Sequence, residues 1–405
     1  MISALFPSST VGECDITQGI DQITDVTTSE IFDFILGENY KVLDPSLPLT
    51  IEQIKERGGH RCWHKHSTFL DHLLGVHNIL RLWRQPPIVG RVGLLHSAYS
   101  NSYVNLALFD PDRDEERNGM RTLVGHDAEE IIHLFCIIDR QSVVVDTILG
   151  NGFIPNDELQ VPHLRNKNET IHLSSEIMRL LVIFTMADVA DQYFGWQDRL
   201  FGGLDGENSM LLPGHDDQRK HESTALWPGT SKPGLWMSYV SELGAVLHKH
   251  DIAARSENDD VDDDKRRLIM PIPPVFDHCS KILSRENEAK ARDLYWSVVM
   301  EVVSSDQVIE TLQEASKLNP WFYESYVMLA QKYLHQNENE KAKEAAEKAL
   351  SLQMMWGTAY DKRMSFPAWV AWTKVLHQRA NDRAGWPENS WEVNNFGMVA
   401  LEEAK

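Results

Sequence analysis

"STFLDHLLGVHNILRLWRQ", residues 67–85, is the stretch whose reading decides the fold. Phe69, Leu73, Val76, Leu80 and Trp83 recur at i, i+4, i+7, i+11 and i+14. That spacing follows a turn of 3.6 residues and lays one apolar stripe along a helix, whereas a half-buried strand alternates every second residue. Ser67 or Thr68 is the expected N-cap, because a hydroxyl there accepts from the free amides of the first turn. His72 interrupts the apolar face formed by Phe69, Val76 and Ile79. An imidazole facing a core must find a hydrogen-bond partner or a ligand to offset its desolvation.

The helical period continues on either side. "PPIVGRVGLLHS" (86–97) begins a second helix, with proline near its first turn. "GHDAEEIIHLFCIID" (125–139) reads as a third and "SSEIMRLLVIFTMADVADQYF" (174–194) as a fourth. No strand-like alternation of comparable length occurs, so the expected fold class is all-α. Residues 1–45 form an N-terminal segment with one short helix, "SEIFDFIL". A helical domain is expected over 46–250. It includes a long Gly- and Pro-rich excursion at 201–237, read as a packed loop that can cover a site and that Trp227 and Trp236 pin to the core. Residues 251–289 read as a linker: "SENDDVDDD" is solvated, and "PIPPVFD" is extended.

From 290 to 385 an internal repeat appears. "LQEASKLNP" (312–320) and "AEKALSLQM" (346–354) are offset by 34 residues, so Ala315 matches Ala349 and Leu318 matches Leu352. "SFPAWVAWTKVLHQRA" (365–380) supplies a further helix, and 386–405 form a tail. A 34-residue period with small residues where helices cross resembles tetratricopeptide repeats. Such a module either offers its groove to a protein partner or packs on the first domain.

Composition narrows the function. The formal net charge is −21 and the pI is near 5.2. Such a surface repels phosphate backbones, and "DDDKRR" at 262–267 cancels its own basic half, so no nucleic-acid partner is expected. Cys14, Cys62, Cys136 and Cys279 are scattered and read as reduced thiols, which fits a cytoplasmic protein. There is neither a secretory leader pattern nor an apolar run long enough for a membrane span. A Walker loop, a dinucleotide fingerprint and a nucleophile elbow are all missing, which removes common nucleoside triphosphatases, Rossmann oxidoreductases and serine esterases.

The second helix ends in His96-Ser97, and His96 lies in line with Val89 and Val92. On the fourth helix, Ile177, Leu181 and Phe184 set a stripe whose next positions are Asp188 and Asp191. A carboxylate that continues an apolar stripe needs a compensating charge, and a metal ion would supply one. Asp191 is read as a helix-surface or hydrogen-bonding residue. Cys136 falls in the apolar stripe of the third helix and is read as inert.

Here the chain resembles the HD superfamily of metal-dependent phosphohydrolases: a His, about two dozen residues, His-Asp, then a distant Asp in an "ADR"-like helix. "HLLGVHNILRLWRQPPIVGRVGLLHS" carries the first elements, with Ser97 where the family has Asp, and "MADVADQ" resembles the last. More widely, residues 50–250 resemble an HD-like family in which His-Ser is usual and some members add helical repeats. The resemblance implies metal ligands His72, His96 and Asp188 and one divalent ion: zinc, manganese or iron(II). It implies metal-assisted hydrolysis of a small-molecule substrate, in particular a phosphate ester. Arg140 is a candidate to hold an anionic group. Glu129, Glu130, Asp139, His64 and His66 are further candidates near the same core. Two other readings stand beside it: a non-catalytic scaffold using its repeats, favoured by the lost carboxylate at 97, and an iron-dependent HD-type oxygenase.

Overall fold

The structure is a computed structural model and describes residues 26–64, 67–100, 107–193, 232–257, 270–390 and 392. These residues divide into two compact units, 26–193 with 236–282 and 232–235 with 283–392. Both are mostly helical, as the apolar spacing predicts.

The first unit begins with α1 (Thr28–Leu36), α2 (Tyr40–Leu43) and α3 (Leu47–Glu56). A short antiparallel pair follows, β1 (Trp63–His64) against β2 (Ser67–Thr68), with Trp63 opposite Thr68. Helix α4 (Phe69–Leu82) starts where the sequence places it: Thr68 Oγ1 accepts from the Asp71 amide at 3.2 Å, and the Asp71 carboxylate accepts from the Thr68 amide at 3.1 Å. This reciprocal cap satisfies two amides that the first turn leaves open. The predicted stripe from Phe69 to Trp83 is buried throughout. Helices α5 (Pro87–Leu95), α6 (Asp114–Val124) and α7 (His126–Ile137) come next, then a π-helix (Ser142–Leu149), α8 (Ser175–Gln192) and α9 (Met237–Glu257). Helix α4 packs against α5 and α8, and α8 also packs against α9 and the π-helix.

On α8 the stripe from Ile177 to Asp191 is buried, and so is every residue between, as befits a helix enclosed on all sides. A second short antiparallel pair, β3 (Leu159–Pro162) with β4 (Thr170–Leu173), accompanies the helices without changing the all-α class. Its strands are too short to show alternation in the sequence. The span 251–289 is not simply a linker. It holds the end of α9, and Val275–Cys279 coils instead of extending, with φ between +52° and +60° at Phe276, Asp277, His278 and Cys279. A left-handed backbone costs roughly 1–2 kcal/mol per residue, and burial of Val275, Phe276 and Cys279 offsets it. Of the long excursion, Trp236 is fully buried. Trp227, most of 201–237, residues 258–264 of the acidic run, His66 and Cys14 lie outside the described residues. Cys62, Cys136 and Cys279 are free thiols. Among the described residues no helix is long and apolar enough to cross a membrane.

The second unit contains α10 (Arg285–Val299), α11 (Val308–Leu318), α12 (Tyr323–His335), α13 (Asn339–Trp356) and α14 (Phe366–Asn381), each packing on its neighbour in sequence. Its helices therefore begin at 285, earlier than the expected 290. Ala315 and Ala349, the pair matched at the 34-residue offset, are both fully buried on α11 and α13. Leu352 is buried and Leu318 half-buried.

Candidate metal centre

Helices α4, α5 and α8 bring three side chains of the first unit together. His72 lies one turn into α4, His96 caps the end of α5, and Asp188 lies in the last turns of α8. Their exposures are 3%, 4% and 2%, so water does not solvate them freely. Each offers one ligand atom, and these atoms lie within 4.8 Å of one another. His72 Nε2 is 3.4 Å from Asp188 Oδ1, and His96 Nε2 is 3.9 Å from the same oxygen. Donors about 2.1 Å from a tetrahedral zinc ion stand ~3.4 Å apart. The spacing therefore suits one ion.

The surrounding hydrogen bonds aim these atoms. His96 Nδ1 donates to the Gly93 carbonyl at 2.8 Å, which leaves Nε2 with its lone pair facing Asp188. His72 Nδ1 is 2.7 Å from Asp191 Oδ2, which likewise leaves Nε2 toward Asp188. Asp188 Oδ2 accepts from Arg140 Nη2 at 2.7 Å. Asp188 Oδ1 is buried and accepts no hydrogen bond among the described residues. A buried carboxylate oxygen without a donor is costly, and a cation would satisfy it. Two imidazole nitrogens and one carboxylate oxygen form a donor set that first-row divalent ions accept.

The electrostatics follow from burial and from the charges that face each group. Burial disfavours a charged His96 and pushes its pKa down to about 3, against the pull of Asp188, so its ring is neutral. Burial also works against a charged His72, but Asp188 and Asp191 outweigh it and raise the pKa to about 9. Burial opposes ionisation of Asp188 as well, yet Arg140 and the histidines hold the carboxyl well below the usual carboxylate range.

Arg140 thus belongs to this centre, where its partner is Asp188. Its guanidinium also donates to Thr185 Oγ1 at 3.3 Å and lies 4.7 Å over the Phe184 ring. Ser97 is buried directly after His96. His64 stacks near His72, with ring centroids 4.5 Å apart. Glu129 and Glu130 do not join the centre. Buried Glu129 accepts from Arg117, Arg121 and the Tyr99 hydroxyl, and Glu130 pairs with the same two arginines. Cys136 donates to the Tyr99 carbonyl, and burial pushes its thiol up, away from reactivity.

Of the two roles read for Asp191, helix surface or hydrogen bonding, it takes the second: it is buried and bonded to His72. Its i+3 spacing from Asp188 puts both carboxylates on one face of α8. Sequence reasoning missed one residue. Tyr239 on α9 is buried, and its hydroxyl lacks a hydrogen-bond partner among the described residues. Burial raises its pKa, with Arg140 and Asp188 both acting on it electrostatically. Nothing in its local sequence marks it, because only the packing of α9 on α8 brings it near.

The profile of a family described as a domain of unknown function, DUF6817, matches residues 53–140. The matched span holds His72, His96 and Arg140 and ends before Asp188. No curated protein and no solved structure matches the chain.

Proposed function

We propose that the first unit is an HD-like metal-dependent hydrolase domain with a single-ion centre, and that it acts on a small anionic substrate such as a phosphate ester. One observation carries the proposal: His72 Nε2, His96 Nε2 and the donorless Asp188 Oδ1 converge on one buried point. A divalent ion held there supplies Lewis acidity and lowers the pKa of a coordinated water. The protein's own groups do the rest. The Gly93 carbonyl and Asp191 orient the two imidazoles. Arg140 ties down Asp188 Oδ2, and its side chain, 21% exposed, is the most accessible of these groups, placed to meet an anion. With Oδ2 already engaged by a guanidinium, Asp188 has one oxygen left for a metal, which supports one ion over two. The 34-residue offset supports a tetratricopeptide-like reading of the second unit as a binding module for a protein partner.

A second reading, a non-catalytic scaffold, is favoured by one observation. A proton on His72 and the Arg140 guanidinium together balance Asp188 and Asp191, so the centre is electrically satisfied without a metal. Elemental analysis of protein purified without chelators separates the readings. About one zinc or manganese per chain supports the hydrolase, iron the oxygenase alternative, and no metal the scaffold. His96→Ala is expected to lose the metal and at least 100-fold of turnover on p-nitrophenyl phosphate mono- and diesters. Full turnover in that variant rules the hydrolase reading out.

A further inference from the structure

We infer that Asp191 is the positioning residue of this centre and that Gly75 is a glycine to make room for it. The inference rests on the metal-centre reading above.

Three observations carry it. His72 and Asp191 are both buried, and Nδ1 lies 2.7 Å from Oδ2, the distance of a strong charge-assisted hydrogen bond. Asp188 and Asp191 sit one turn apart on α8 and address opposite edges of the same ring, Asp188 the Nε2 edge and Asp191 the Nδ1 edge. The ring is thereby held so that Nε2 faces the other two donors. Gly75 lies one turn after His72 on α4, and a Cβ added there would stand 1.9 Å from Asp191 Oδ1 and 2.6 Å from its carboxyl carbon. Glycine inside a helix costs about 1 kcal/mol relative to alanine. The space it leaves is filled by this carboxylate.

The consequence is chemical as well as steric. A ligating histidine that donates its other N–H to a carboxylate is fixed in one tautomer and becomes a stronger donor, and removing such a partner typically weakens metal binding 10–100-fold. His96 has a neutral carbonyl in the same role. Asp191 therefore makes His72 the more basic of the two imidazole ligands.

The test uses the full chain and zinc, titrated against a chromophoric chelator. Asp191→Ala and Asp191→Asn are expected to weaken zinc binding about 10–100-fold while circular dichroism stays unchanged. If the alanine variant fails to fold, the asparagine variant, which keeps an acceptor oxygen, carries the comparison. Gly75→Ala is expected to weaken zinc binding too, but to add nothing in the Asp191→Ala background, where the new methyl meets no carboxylate. In the zinc-loaded protein, the His72 Nδ1–H resonance is expected to be slow to exchange and to be lost on Asp191→Ala. Wild-type zinc affinity in Asp191→Ala, or an undiminished Gly75→Ala effect in that background, overturns this inference alone. Absence of zinc from the unsubstituted chain overturns it together with the metal reading.

Discussion

Ser97 decides how much charge the centre carries. With both imidazoles neutral, a divalent ion and Arg140 bring three positive charges against the two negative charges of Asp188 and Asp191, leaving one in excess. In a buried site that excess is screened little, so it favours an anionic occupant. A carboxylate at 97 would cancel it. Ser97→Asp is therefore expected to tighten zinc binding at least tenfold and to weaken competition by inorganic phosphate. Without metal, the same variant is expected to unfold at lower temperature, because position 97 is buried and the new carboxylate brings no cation of its own. Chelator competition and thermal melts read both effects. Unchanged zinc affinity would mean that the side chain at 97 does not face the ion.

At the scale of elements, the centre depends on how closely α4 and α5 approach. A Cβ on Gly93 would lie 2.5 Å from Leu80 Cδ1, and one on Gly90 2.8 Å from Arg81 Cδ. Leu80 is fully buried, so it has little space to yield. Gly93→Ala is expected to cost about 1–3 kcal/mol through overpacking, and to disturb zinc binding as well, since the Gly93 carbonyl orients His96. Denaturant unfolding measures the first effect and zinc titration the second. A neutral substitution would show that the helices can separate without loss. These elements were largely legible beforehand. The stripe of α4, the cap at Thr68, the proline at the start of α5, and the inward His72, His96 and Asp188 all follow from spacing. What could not be read depends on contact between distant segments. Arg140 meets Asp188 across 48 residues, His72 meets Asp191 across 119, and Glu129 draws in arginines from the preceding helix. The stripe of α8 shows one buried face; that its other faces are covered too depends on the packing of α4, α9 and the π-helix around it.

Across the whole molecule, an acidic chain must neutralise or discharge the carboxylates it buries. In the first unit, Asp44 pairs with Arg91, Glu129 with Arg117 and Arg121, and half-buried Asp251 with Arg179. In the second unit, Asp361 has Arg363 and the Tyr295 hydroxyl. Glu324 is treated differently. Its Oε1 accepts from the Tyr360 and Asp361 amides at 2.7 and 2.9 Å, and its buried Oε2 has no partner among the described residues. Burial, with repulsion from Asp361, outweighs those two amides and raises its pKa to about 8. The folded chain thus keeps a proton that the unfolded chain, with an ordinary glutamate pKa of 4.5, gives up. The sign follows directly: between 4.5 and 8 the native state binds more protons, so this group's contribution to stability is complete below 4.5 and is lost as pH rises toward 8. The loss runs at roughly 1 kcal/mol per pH unit. Glu324→Gln keeps an acceptor for both amides and never ionises, so it is expected to flatten the fall in unfolding free energy between pH 5 and 8 and to leave zinc binding untouched. Parallel pH profiles for the two proteins would show that Glu324 is ionised in the fold, and that a cation or water satisfies its second oxygen.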